Sequence, residues 1–139
     1  MTENELNRAI ALFAIRLITG ILFFFQGYDK IVKMGVKDVI YTFRDSLSKT
    51  FLKGGVLSSA IYASSYIEMI GGAMLVTGIA RNYLLYILGF DLVCVALVFS
   101  LIKPMWDMQF YFPRLILIIS LLLLPAEWDV ISLQNLFGW

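Results

Sequence analysis

The sequence predicts an all-α, polytopic membrane protein: one domain over residues 1–139 that forms a four-transmembrane-helix bundle with an amphipathic interfacial helix in its first loop. Hydrophobic residues make up 60% of the chain and its mean hydropathy is +0.85, both above the values usual for soluble domains. Four apolar segments approach the ~20 residues that a helix needs to cross a bilayer. Only one connection between them is long.

Each predicted span carries a charged residue within its apolar run. The spans cover about Ile10–Tyr28, Val56–Ile79, Tyr83–Ile102 and Phe110–Leu124. Their charged residues, in the same order, are Arg16, Glu68, Asp91 and Arg114. Because an isolated charge at the bilayer centre costs about 3 kcal/mol or more, these side chains are expected to meet partners inside the bundle.

The connection over residues 29–55 has the pattern of an amphipathic helix that lies at the membrane interface. Its apolar residues recur at helical spacing, and Lys, Asp and Ser residues fill the gaps. The apolar positions are Val36, Val39, Ile40, Phe43, Leu47 and Phe51. Gly54 and Gly55 follow and are expected to end this segment before the second span.

The other connections are short. Arg81 and Asn82 predict a tight hairpin, and Lys103–Asp107 predicts a turn in which proline ends the third helix. Trp128 and Trp139 in the tail suit the aromatic belt of a membrane interface.

Basic residues outside the spans predict the orientation of the protein in its membrane. The side of the long connection holds Lys30, Lys33, Lys37, Arg44, Lys49, Lys53 and Lys103, whereas the side of the termini holds Arg8 and Arg81. The positive-inside rule therefore predicts a cytoplasmic connection with both termini outside. The start of the chain, Met1–Arg8, is acidic where a signal peptide is positively charged, so the first helix is expected to be retained.

The residue inventory excludes several kinds of chemistry. The chain has no histidine and one cysteine, so no haem, zinc or iron–sulfur cofactor is expected and no self-contained catalytic machinery is visible. A net charge of +1 gives no reason to expect a nucleic-acid partner. Any catalytic residues stay unknown, and in any redox chemistry the protein's own side chains are not expected to carry the electrons.

Depth along the spans predicts that three of the charges meet. Counted from the side of the termini, Arg16, Glu68 and Asp91 lie within about one helical turn of one another, while Arg114 lies nearer the other face. One interpretation is a structural lock that fixes the packing of the helices. Another is a polar cavity for a headgroup or for a proton-exchanging carboxylate, and a third is a contact with another subunit.

Three further residues are candidates for lining a ligand site. Phe23 could stack on a quinone ring, Tyr66 could donate a hydrogen bond near Glu68, and Cys94 follows Asp91 by three residues. The alternative for each is ordinary packing against lipid or a neighbouring helix.

Two short patterns, in order along the chain, resemble the DoxX family. The first comprises Arg16, Leu17, Gly20, Phe23, Gly27 and Lys30, and the second comprises Glu68, Gly71, Gly72, Leu75, Gly78 and Arg81. The resemblance implies a small four-helix protein of the bacterial inner membrane. It also implies a link to redox systems, such as thiosulfate oxidation with quinone as acceptor, or to oxidative-stress and sulfur metabolism. It assigns no catalytic residue, and it implies that any enzymatic role is that of an accessory subunit in a membrane oxidoreductase.

Three functions follow as hypotheses. The protein is a redox-linked subunit of an envelope assembly with a quinone or lipid-headgroup site, a structural or accessory subunit without a ligand, or a small transporter or proton pathway. Its expected partners are the bilayer, other membrane or envelope subunits and further copies of itself. The spans look continuous and few, which disfavours the transporter in a single protomer.

Overall fold

A computed structural model describes residues 1–102 and 108–138. Six α-helices cover most of these residues, and no strand occurs among them, which confirms the all-α prediction. The helices are α1 Glu3–Tyr28, α2 Val36–Leu47, α3 Gly55–Thr77, α4 Arg81–Ile102, α5 Met108–Leu123 and α6 Leu133–Phe137. The predicted turn at Lys103–Asp107 and the anchor at Trp139 lie outside the described residues.

Helix α1 is the longest element, with 26 residues. Thr2 begins it with a capping box: its backbone N–H donates to Glu5 Oε2 at 2.7 Å, and Glu5 N–H donates back to Thr2 Oγ1 at 3.3 Å. At its other end the helix continues into a π-helical turn, Asp29–Lys33, before Gly35 starts α2 with a φ of +81°. This turn brings Lys30 into the site described below.

Helices α1, α3, α4 and α5 pack side by side, each antiparallel to its neighbour. Gly20 faces Gly72 while Gly27 faces Ser65, so α1 and α3 run in opposite directions. Arg81, at the start of α4, reaches the carbonyls at the end of α5. Their shared core contains Leu12, Phe23, Leu75, Leu84, Leu85, Leu88, Leu92, Ile118 and Leu121.

The backbones of α1 and α3 touch. A Cβ added to Gly20 would lie 2.8 Å from the carbonyl oxygen of Gly72, and one added to Gly72 would collide with the backbone of Phe24. Small residues permit this approach, as they do between helices in membranes. Gly20 and Gly27 of the first family-like pattern and Gly72 of the second therefore set the distance between α1 and α3.

Helix α2 covers the part of α3 that extends beyond the end of α1. Its buried residues Val36, Val39 and Leu47 pack towards α3 and α4, and the Phe43 ring meets Phe99 edge to face with centroids 5.6 Å apart. The expected amphipathic helix is present, and its buried residues pack against α3 and α4; its position at a membrane interface stays a prediction. Phe51 lies past the end of the helix and is exposed.

Two helical segments in the described part of the chain are long and apolar enough to cross a membrane, Glu3–Lys33 and Arg81–Ile102. The apolar part of α5, Phe112–Leu123, is shorter. Helix α3 is long but contains four serines, two tyrosines and Glu68, which lower its hydropathy. Two of the predicted spans thus meet the criteria for a span, and the count of four stays a prediction.

Candidate functional site

Charged side chains form two separate clusters at different levels of the bundle. The first, called the tail cluster here, consists of Arg16 on α1, Arg81 on α4 and Asp129 in the tail. Arg16 Nε lies 3.2 Å from Asp129 Oδ1, and Arg81 Nη1 lies 3.7 Å from Asp129 Oδ2. All three residues are more than nine-tenths buried.

Both arginines of the tail cluster also cap helices. Arg16 donates hydrogen bonds to the carbonyls of Leu75 and Val76, at 3.0 and 2.8 Å, and to that of Ile131. Arg81 donates to Leu121 and Leu124 at 2.6 and 2.7 Å. The last carbonyls of a helix lack partners within it and carry the negative end of its dipole, so the cations stabilise the ends of α3 and α5.

Asp129 joins the tail to the bundle. Burial raises the pKa of its carboxyl above the ordinary value, while the charges of Arg16 and Arg81 act to lower it. The Asp129 carbonyl accepts hydrogen bonds from Ser132 Oγ at 3.0 Å and Asn135 Nδ2 at 2.9 Å. The Asp129 side chain therefore joins the tail to the bundle, while its carbonyl accepts hydrogen bonds from within the tail.

The second cluster, called the cavity cluster here, is built around Glu68, which has no exposed surface. Lys30 Nζ lies 2.6 Å from Glu68 Oε2, and Arg114 Nη1 lies 3.9 Å from Glu68 Oε1. Asp91 is 5% exposed and accepts a hydrogen bond from Ser64 Oγ at 3.2 Å. Helices α3, α4 and α5 and the π-helical turn each contribute to this cluster.

The predicted meeting of Arg16 with Glu68 and Asp91 is wrong. Arg16 lies level with Leu75 and Val76 at the end of α3, and Lys30, 14 residues further along the same chain, takes its place beside Glu68. Fourteen residues of helix span ~21 Å, so the two cations cannot occupy one cluster. Depth counting failed because α1 extends beyond α3 at the side of the termini.

A cavity of about 310 Å³ borders the cavity cluster. Its polar corner consists of Gln26, Lys30, Ser64 and Asp91. The rest of its wall is mainly apolar: Met34, Val39, Thr42, Phe43, Leu57, Ala60, Ile61, Cys94, Val95, Val98 and Phe99. Because Ala60 on α3 and Cys94 on α4 are exposed, the cavity opens sideways between these helices.

Of the three candidate lining residues, the structure brings only Cys94 to the cavity. Phe23 is fully buried in the core, with the Arg114 guanidinium 5.7 Å from its ring centroid. Tyr66 is 46% exposed on the outer surface of α3. Lone residues of these types carry no signal that separates a cavity wall from packing.

The family-pattern positions separate by role. Gly20, Gly27 and Gly72 make the α1–α3 contact, and a Cβ on Gly71 would meet the Leu88 side chain at 3.1 Å. Lys30 belongs to the cavity cluster and Arg81 to the tail cluster. Counting both as basic residues outside the spans overlooked that each has a buried or partly buried acidic partner.

Asp129 is the site residue that sequence reasoning missed. The sequence predicts only a short, mildly amphipathic tail with interface anchors for this stretch. The available signal was charge balance, since Arg16 and Arg81 face the side of the termini and need an anion there. Among the described residues, no group of three or more His, Cys, Asp or Glu residues could hold a metal ion.

Comparison with known proteins gives one informative match. No curated protein and no solved structure matches the chain. The profile of the DoxX family matches residues 11–102, which contain both family-like patterns, the cavity wall and every member of the cavity cluster except Arg114. Together with the two apolar helices, this match indicates a small membrane protein, and it shows that the chain belongs to the DoxX family.

Proposed function

We propose that this protein is a four-span subunit of the bacterial inner membrane that binds the headgroup of a quinone in the cavity beneath α2. It serves a redox-linked assembly of the cell envelope as an accessory subunit, with the 29–55 connection in the cytoplasm and both termini outside. The observation that carries the proposal is the cavity itself, which is apolar except for one corner of converging polar side chains.

The cavity is large enough for the ring of an amphiphilic ligand but not for the ring and the apolar tail together. About 310 Å³ lies at the small end of ligand sites, which span roughly 300–1,000 Å³. A substituted benzoquinone ring fits this space, and an apolar tail would leave through the side opening at Ala60 and Cys94. A ligand dissolved in the bilayer can enter by that route without crossing water.

The polar corner supplies hydrogen-bond donors that suit a quinone carbonyl. Lys30 has three N–H donors, one of which points to Glu68, and its side chain is 20% exposed. The Gln26 amide adds two donors at the same corner. Glu68 fixes the direction of the Lys30 side chain, so the ion pair positions the cation that meets the ligand.

The tail cluster favours a second, structural function. Arg16 and Arg81 share Asp129 and hydrogen-bond to helix-end carbonyls, which is the arrangement of a packing lock. A subunit without its own ligand would need only this cluster. The two functions are compatible because the clusters lie at different levels of the bundle.

Equilibrium binding of a radiolabelled short-chain benzoquinone to protein in lipid nanodiscs tests the proposal. We expect saturable binding that weakens at least about tenfold in Ala60→Trp, because the indole fills a cavity of this size. Ala73→Trp is the matched control, since Ala73 is also exposed on α3 but does not line the cavity. Absence of saturable binding, or equal binding in both variants, would refute the quinone site.

A further inference from the structure

Asp91 leaves an acceptor facing the cavity. Only 5% of the Asp91 surface is exposed, and Asp91 is one of the four residues of the polar corner. Ser64 donates to Oδ2, whereas Oδ1 accepts no hydrogen bond from the described residues. Of the neighbouring cations, Lys30 Nζ lies 2.6 Å from Glu68 Oε2, and Arg114 Nη1 lies 3.9 Å from Glu68 Oε1.

A carboxylate accepts hydrogen bonds and donates none. A ligand that shields this carboxylate oxygen from water without donating a hydrogen bond to it loses free energy, so a ligand that donates to Asp91 gains more than one that does not. The carbonyl oxygen of an oxidised quinone carries no proton. It would therefore face the Asp91 carboxylate as a second acceptor, without a hydrogen bond between them. The hydroxyl of the reduced form can donate to that carboxylate.

The same hydroxyl also suits the other side of the corner. Its oxygen can accept from Lys30 or Gln26 while its proton points to Asp91, so one group satisfies a donor and an acceptor together. The oxidised ligand can use only the donors. This asymmetry distinguishes two molecules that have almost the same shape.

Building on the quinone site proposed above, we propose that the polar corner selects the reduced, hydroxyl-bearing quinol over the quinone, with Asp91 accepting the hydrogen bond that the hydroxyl donates. A hydrogen bond to a charged group corresponds to a preference of about tenfold or more. Tighter binding of the reduced form raises the midpoint potential of a bound two-electron couple, by about 30 mV for each factor of ten.

The test measures dissociation constants for a matched pair, a short-chain benzoquinone and its quinol, under anaerobic conditions with the full chain in nanodiscs. We expect the quinol to bind at least about tenfold more tightly. In Asp91→Asn the ratio should fall to within about twofold, because an amide both donates and accepts. Asp45→Asn, an exposed acid on α2 away from the cavity, should keep the full ratio.

A second probe does not depend on the folding of any variant. The dimethyl ether of the same quinol has no hydroxyl proton, so the native protein should bind it no more tightly than the quinone. Equal affinity for quinone and quinol in the native protein, or tight binding of the ether, overturns the selection by Asp91 but leaves the quinone site standing. Failure of all three ligands to bind overturns both proposals.

Discussion

At the scale of single residues, Asp129 is the acidic partner that both arginines of the tail cluster share. It faces two buried arginines, each of which also caps a helix, so its loss would leave two cations with only carbonyl partners. Removing one partner from a buried ion pair costs more than the intact pair contributes, because the remaining charge stays desolvated.

Replacement of Asp129 by asparagine should therefore lower the free energy of unfolding by about 3 kcal/mol or more. The control is Lys33→Gln, which removes an exposed pair with Asp29 (N···O 2.8 Å) and should cost less than about 1 kcal/mol. Reversible unfolding in mixed detergent micelles measures both. Similar costs for the two variants would contradict a buried role for Asp129.

The charges inside the helices were predictable at this scale, but their partners were not. Arg16, Glu68, Asp91 and Arg114 stand out in the sequence because each interrupts an apolar run. Pairing depends on the relative heights of the helices, and hydropathy places the ends of a span only to within a few residues. An error of two turns at the start of α1 was enough to assign Arg16 to the wrong cluster.

At the scale of elements, the contact between α1 and α3 determines where every other part of the site lies. Gly20, Gly27 and Gly72 bring the two backbones together, and this contact sets the height of Lys30 against Glu68. A side chain at one of these glycines has no room unless a helix moves.

Gly72→Ala should destabilise the protein by about 1–3 kcal/mol, because its Cβ meets the backbone of Phe24 rather than a side chain that can rotate. The matched control is Gly89→Ala on α4, whose Cβ would lie 3.6 Å from Ile118. There the gain in helix propensity, about 0.5–1 kcal/mol, should make the variant neutral or more stable. Thermal unfolding of the two variants in the same detergent compares them. Equal tolerance would show that α1 and α3 are not in backbone contact.

The helices themselves were predictable from apolar runs and from the glycines and prolines that bound them. The surface that α2 covers was not, since an amphipathic pattern fits an interface and a protein groove equally well. Val39 and Leu47 can pack against protein because α3 extends beyond the end of α1 on that side. A sequence pattern does not show how far one helix extends beyond its neighbour.

At the scale of the whole molecule, the two clusters lie at opposite ends of the bundle. The tail cluster joins α1, the ends of α3 and α5 and the tail through buried ion pairs and capped carbonyls. The cavity lies at the other end, where the π-helical turn, α2, α3 and α4 enclose a space with exposed residues at its side. The proposed function places packing at one end and ligand binding at the other.

Light-driven crosslinking in native membranes tests the quinone site most directly. A quinone analogue with a photoactivatable group on its ring should label α3 and α4 near Ala60 and Cys94, and excess unlabelled quinone should prevent the labelling. Peptide mass spectrometry locates the adducts. Competed labelling at these positions, lost in Ala60→Trp and kept in Ala73→Trp, is the expected result. Labelling spread over the exposed faces of all helices and insensitive to competitor would contradict a quinone site in the cavity.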